Sequence, residues 1–121
     1  MIEPIFSIND VTFTSDNPRI FTLPSQGSGQ DIHVHFCSEC GTKLALTFAR
    51  WPDRIGLYIG TLDDPSAVSI TSENAKHIFT SEAQSTVILP AGVPTYARHA
   101  TELDGTPVDP TFHHVPTPLA N

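Results

Sequence analysis

Cysteine, positive charge and long apolar runs are all scarce in this sequence. The 121 residues include two cysteines, six lysines and arginines, and one tryptophan. Disulfide scaffolds are cysteine-dense and spread their bridges along the chain, so two cysteines three positions apart exclude that class. The six cations stand singly against 13 acidic residues, giving a net charge of −7. A protein that follows a phosphate backbone needs clustered positive charge, so nucleic acid is excluded as the main partner. An anionic membrane surface is disfavoured for the same reason. No apolar stretch approaches the roughly 20 residues that span a bilayer. The start, Met1–Phe6, has neither a basic flank nor the apolar run of a signal peptide, so the expected location is cytoplasmic.

Long helices are also disfavoured. Eleven prolines interrupt a chain rich in β-branched residues, and short runs bounded by turn residues dominate. The pattern predicts a mainly β protein. Strands are expected at Ile5–Ile8 and Val11–Thr14, split at Asn9-Asp10, then at Arg19–Leu23 after a turn at Asp16-Asn17-Pro18. Others are expected at Asp31–Phe36, Lys43–Phe48, Ile55–Gly60, Lys76–Thr80 and Thr86–Leu89. Helical turns fit Pro65–Val68 and Ser81–Gln84. Prolines recur from Pro90 onward, and residues 100–121 read as a Pro-rich extended tail to a domain over 1–99.

The chemistry concentrates at Cys37-Ser38-Glu39-Cys40-Gly41. A strand delivers Cys37, and a tight turn brings Cys40 round to the same point. Gly41 suits a position of positive φ. Structural zinc sites use this spacing, with four ligands in all. The redox alternative needs the first cysteine at a helix N-terminus, whereas Gly41-Thr42 opens a strand. Two thiols that bind nothing is the plainer alternative. Period-two alternation puts His33 and His35 on one face of their strand, and makes His35 the first candidate for a third ligand. His77, His99, His113 and His114 are further candidates. A second subunit offering its own cysteine pair across a two-fold axis is another source.

Three blocks carry a resemblance: His35-Phe36-Cys37-Ser38-Glu39-Cys40-Gly41-Thr42, Tyr58-Ile59-Gly60-Thr61-Leu62-Asp63-Asp64-Pro65, and His77-Ile78-Phe79. In this order and spacing they resemble the glutathione-dependent formaldehyde-activating (GFA) family, which also includes centromere protein V-like domains. The resemblance covers about Ile5 to Tyr96. It implies a β-tent of antiparallel sheets with zinc at the edge, and carbon–sulfur lyase-type activity on glutathione or thiol adducts. Family members carry further cysteines in an N-terminal segment, which complete a structural zinc site and hold a second, catalytic zinc. Only Cys37 and Cys40 carry over to this chain, which reads as an N-terminally shortened member.

Two functional readings follow. One is a zinc site with an open position, active on thiol adducts or as a hydrolase of small amides or lactams. The other is a non-catalytic binding module. Strand edges left without the family's N-terminal segment predict a homodimer. Among other residues, Asp63-Asp64-Pro65 reads as a turn and cap rather than a carboxylate pair. Trp51 reads as a packing residue, and Arg50 and Arg54 as solvated cations.

Overall fold

The computed structural model describes residues 1–14 and 18–119. The chain divides into two compact units, Met1–Val68 and Ser69–Asn121. The fold class is mainly β with antiparallel sheets. Among the described residues, helical structure is confined to 3-10 turns. None of these helices is long and apolar enough to cross a membrane.

The first unit is built on one five-stranded sheet. Its strands are β1 (Ile5–Ser7), β2 (Arg19–Pro24), β3 (Asp31–Phe36), β4 (Lys43–Phe48) and β5 (Arg54–Leu57), in the spatial order β1-β5-β4-β3-β2. The strands from β2 to β5 follow one another as a meander, and each connection is short enough to force antiparallel neighbours. Between β2 and β3, Gly29 takes φ +67, and the Ser25 and Gln30 backbones close the loop at 2.9 Å. Between β4 and β5, the Arg54 amide donates to the Trp51 carbonyl at 3.1 Å.

The core sits where the sheet is widest. β4 is the central strand, and its consecutive residues Ala45 and Leu46 are both buried. Successive strand residues face opposite ways, so water is excluded from both faces there. Ile55 on β5 is only 2% exposed. Burying such a side chain contributes about 1.5–3 kcal/mol. By contrast β2, an edge strand, is exposed along its whole length.

The second unit carries little regular structure. β6 (Ile88–Leu89) pairs antiparallel with β7 (Thr117–Pro118), and single bridges join His77 to Thr95, Thr95 to Thr111 and Thr101 to Pro107. Leu89, Val93, Thr95 and Ala100 form its buried centre.

The expected strands at Arg19–Leu23, Asp31–Phe36 and Lys43–Phe48 are present. Ile55–Gly60 is shorter than expected, because the chain turns into a 3-10 turn at Ile59–Thr61. There the Thr61 hydroxyl donates to the Tyr58 carbonyl at 2.7 Å. The first expected strand ends at Ser7, whose hydroxyl caps a 3-10 turn over Ile8–Asp10, and Val11–Thr14 forms no strand. Lys76–Thr80 forms no strand either, because Phe79 takes the left-handed conformation, φ 56 and ψ 37, and breaks the extended run. Of Thr86–Leu89 only Ile88–Leu89 pairs. Pro65–Ala67 and Thr80–Glu82 are the two later 3-10 turns. Asp16 and Asn17, in the expected turn, lie outside the described residues.

Candidate functional site

Phe36 ends β3, and the next six residues reverse the chain into β4. The Cys37 amide donates to the Thr42 carbonyl at 2.9 Å, and the Gly41 amide donates to the Cys37 carbonyl at 2.9 Å. Gly41 closes the turn at φ +74, a conformation that a side chain at this position would strain. Cys37 is half-buried and Cys40 exposed, and both are free thiols.

Hydrogen bonds converge on the second sulfur. The Thr42 hydroxyl lies 3.1 Å from Cys40 Sγ. That hydroxyl, the Thr42 amide and the Cys37 thiol together hold the Cys40 thiol below its ordinary pKa. Each stabilises the negatively charged sulfur, the form that binds a metal. The turn therefore brings Cys37 and Cys40 round to the same end of the strand pair, closed by the bonds between Cys37 and Thr42 and between Gly41 and Cys37.

The histidines are arranged differently. His33 and His35 share a face of β3, as alternation predicts. Each is held from a neighbouring strand: Thr22 Oγ1 lies 2.8 Å from His33 Nδ1, and Thr47 Oγ1 lies 2.9 Å from His35 Nε2. The ring of Phe13 stacks on His35, centroids 5.8 Å apart and planes 13° apart. Burial, and then the neighbouring His33, push the His35 pKa down. Thr47 pairs with His33 in register, two positions further from the cysteine turn than His35. The Nε2 of His35 is thus engaged on the side away from Cys37. Among the described residues, no three His, Cys, Asp or Glu side chains gather as a metal group.

His77, His99, His113 and His114 all belong to the second unit. His99 Nδ1 accepts from the Thr101 amide at 3.2 Å and lies 3.1 Å from its hydroxyl. Asp64 caps the 3-10 turn over Pro65–Ala67, accepting from the Ser66 amide at 3.0 Å and the Ser66 hydroxyl at 2.5 Å. The Asp-Asp-Pro run is a capped turn, as its composition suggests. Trp51 meets Phe48 edge-on, and the Arg50 guanidinium lies 4.6 Å from the Trp51 ring centroid. Arg54 reaches Asp53 at 4.0 Å.

Two features of the first unit were not visible in the sequence. One is a shallow groove of about 360 Å³ beside the cysteine turn, lined by Phe21, Leu23, Val34, Phe36, Gly41 and Lys43. The other is Glu3, whose carboxyl lies against Gly56 with Oε1 buried and without a hydrogen-bond partner among the described residues. Gly56, a glycine inside an apolar strand, was the one available signal of such a close approach.

The family model described as glutathione-dependent formaldehyde-activating enzyme matches residues 1–82. Comparison with curated proteins and with solved structures returned no match. The matched span holds the whole five-stranded sheet, the cysteine turn and the Asp64 cap, and the chain belongs to the glutathione-dependent formaldehyde-activating enzyme family.

Proposed function

We propose that this protein binds zinc through Cys37 and Cys40 and acts on the carbon–sulfur bond of small thiol adducts. The observation that carries the reading is the turn itself. In a chain of this family, two thiols converge and one is stabilised as thiolate by Thr42. The donor set suits zinc, which takes thiolate sulfur readily. When bound with an open position, zinc supplies a Lewis acid for a carbonyl oxygen. Cys37 and Cys40 would hold the metal, and the Thr42 hydroxyl would steady the second sulfur. The reaction joins a thiol sulfur to an aldehyde carbon, with the thiol proton passing to the aldehyde oxygen.

A second reading is favoured by the exposure of Cys40 and by the absence of a third ligand among the described residues. Here two copies of the chain pair and share one four-cysteine zinc, and the site is structural.

Metal analysis separates the two. Protein purified without added metal is assayed for zinc per chain beside Cys37→Ser, and its mass is measured by light scattering. About one zinc per chain, lost in the variant, with turnover of a formaldehyde–glutathione mixture, supports the lyase. About one zinc per two chains in a dimer supports the shared site. Metal-free protein without turnover sinks both.

A further inference from the structure

Phe21 and Leu23 are large apolar residues on an edge strand, 61% and 37% exposed. With Val34 and Phe36 on the adjacent strand they line the groove beside the cysteine turn. An apolar surface of this kind, next to a turn bearing two thiols, has the character of a small-molecule site. Its remaining lining residues are Gly41, which adds no side chain, and Lys43, a cationic residue.

Lys43 reaches this groove because of an irregularity in the sheet. Register runs from His35 opposite Ala45 to Phe36 opposite Lys43, so Leu44 is an extra residue on β4. Such a bulge re-aims the neighbouring side chain. Strict alternation would have set Lys43 and Phe36 on opposite faces. Among the described residues no ion pair engages Lys43. An unpaired cation at an apolar groove, in a chain of net charge −7, is complementary to an anion with an apolar body.

We infer that this groove binds a small carboxylate with an apolar body, its ring or chain over Phe21, Val34 and Phe36 and its carboxylate on Lys43. The inference adds a ligand site beside the cysteine turn. It rests on the proposed lyase reading only for what is done to the bound molecule. The overall negative charge repels anions at a distance, so recognition is by contact, and Kd is expected on the order of 1 mM.

The test is an amide NMR titration with 4-phenylbutyrate and, as the neutral counterpart, 4-phenylbutanol. Both are run on the protein as purified and again after chelation of metal. Saturable shifts are expected at Val34, Phe36, Gly41 and Lys43, with the carboxylate binding about fivefold or more tightly than the alcohol. Lys43→Gln should remove that preference and leave alcohol binding unchanged. Phe21→Ser should weaken both ligands severalfold, and Leu23→Ser serves in its place if that variant does not fold. No saturable shift at the groove overturns the inference, as does a preference for the carboxylate that survives Lys43→Gln. Binding in a protein that is already free of zinc as purified removes the metal reading and leaves this one standing. Zinc with no binding at the groove does the reverse.

Discussion

The carboxyl of Glu3 occupies the space over Gly56 that the Cβ of any other residue would fill. The two come together because β1 pairs with β5, with Ile5 opposite Gly56, and the Leu57 amide donates to the Pro4 carbonyl at 3.0 Å. Burial disfavours the charged carboxylate, and the Glu3 pKa is raised from 4.5 to about 7. Burial first, and then the Glu3 carboxylate, also push the Tyr58 pKa up.

This predicts a pH-dependent stability of definite sign. Between pH 4.5 and about 7 the unfolded chain has released the Glu3 proton while the folded chain retains it. The folded state binds more protons in that window, so stability falls as pH rises and levels off above it. Part of the group still faces solvent, which reduces the effect to on the order of 1–2 kcal/mol. The lowered His35 pKa acts in the opposite direction, removing stability as pH falls below 6.5. Urea unfolding at several pH values, in wild type and in Glu3→Gln, isolates the first effect. The variant should lose the decline between pH 4.5 and 7, and an unchanged slope would refute the assignment.

Gly56→Ala should destabilise the first unit by about 2 kcal/mol or more, because the new methyl meets the Glu3 side chain rather than open space. Glu3→Ala in the same chain should restore most of the loss. The coupling in this double-mutant cycle is the measurement. Additive effects would mean that Glu3 does not rest on Gly56.

Gly41→Ala should cost about 1 kcal/mol of thermal stability, since alanine is strained at φ +74 while nothing crowds its methyl. The same change should lower zinc retention during dialysis against a weak chelator, because the strained turn no longer holds both sulfurs. Stability and retention equal to wild type would show that the turn tolerates a side chain.

How far the sequence foretold the structure varied along the chain. The spans of β2, β3 and β4 could be read because alternating residues are bounded by turn formers, and the cysteine turn because its spacing and Gly41 admit few backbone paths. His33 and His35 on one face followed from alternation. Their threonine partners did not, because they depend on which strands lie beside β3. Lys43 was hidden by one extra residue in β4, which no local pattern announces. Phe79 broke an apparent strand by taking a left-handed conformation that its composition does not favour, at a point where its amide bonds to the distant Arg98 carbonyl. The family blocks were legible as a resemblance, and the family match bears that out.

The pairing of β1 with β5 also orders events in time. The meander from β2 to β5 joins neighbours in the chain, whereas β1 must cross the length of that meander to find its place. Nearby contacts close quickly and distant ones slowly. The amino-terminal strand is therefore expected to dock last, and as a three-residue edge strand it is expected to leave first. Its departure also opens Glu3 to water. In alkaline solution, hydrogen exchange at the edge of β5 should outpace exchange in β4, and the rest of the sheet should stay closed while its first strand comes and goes.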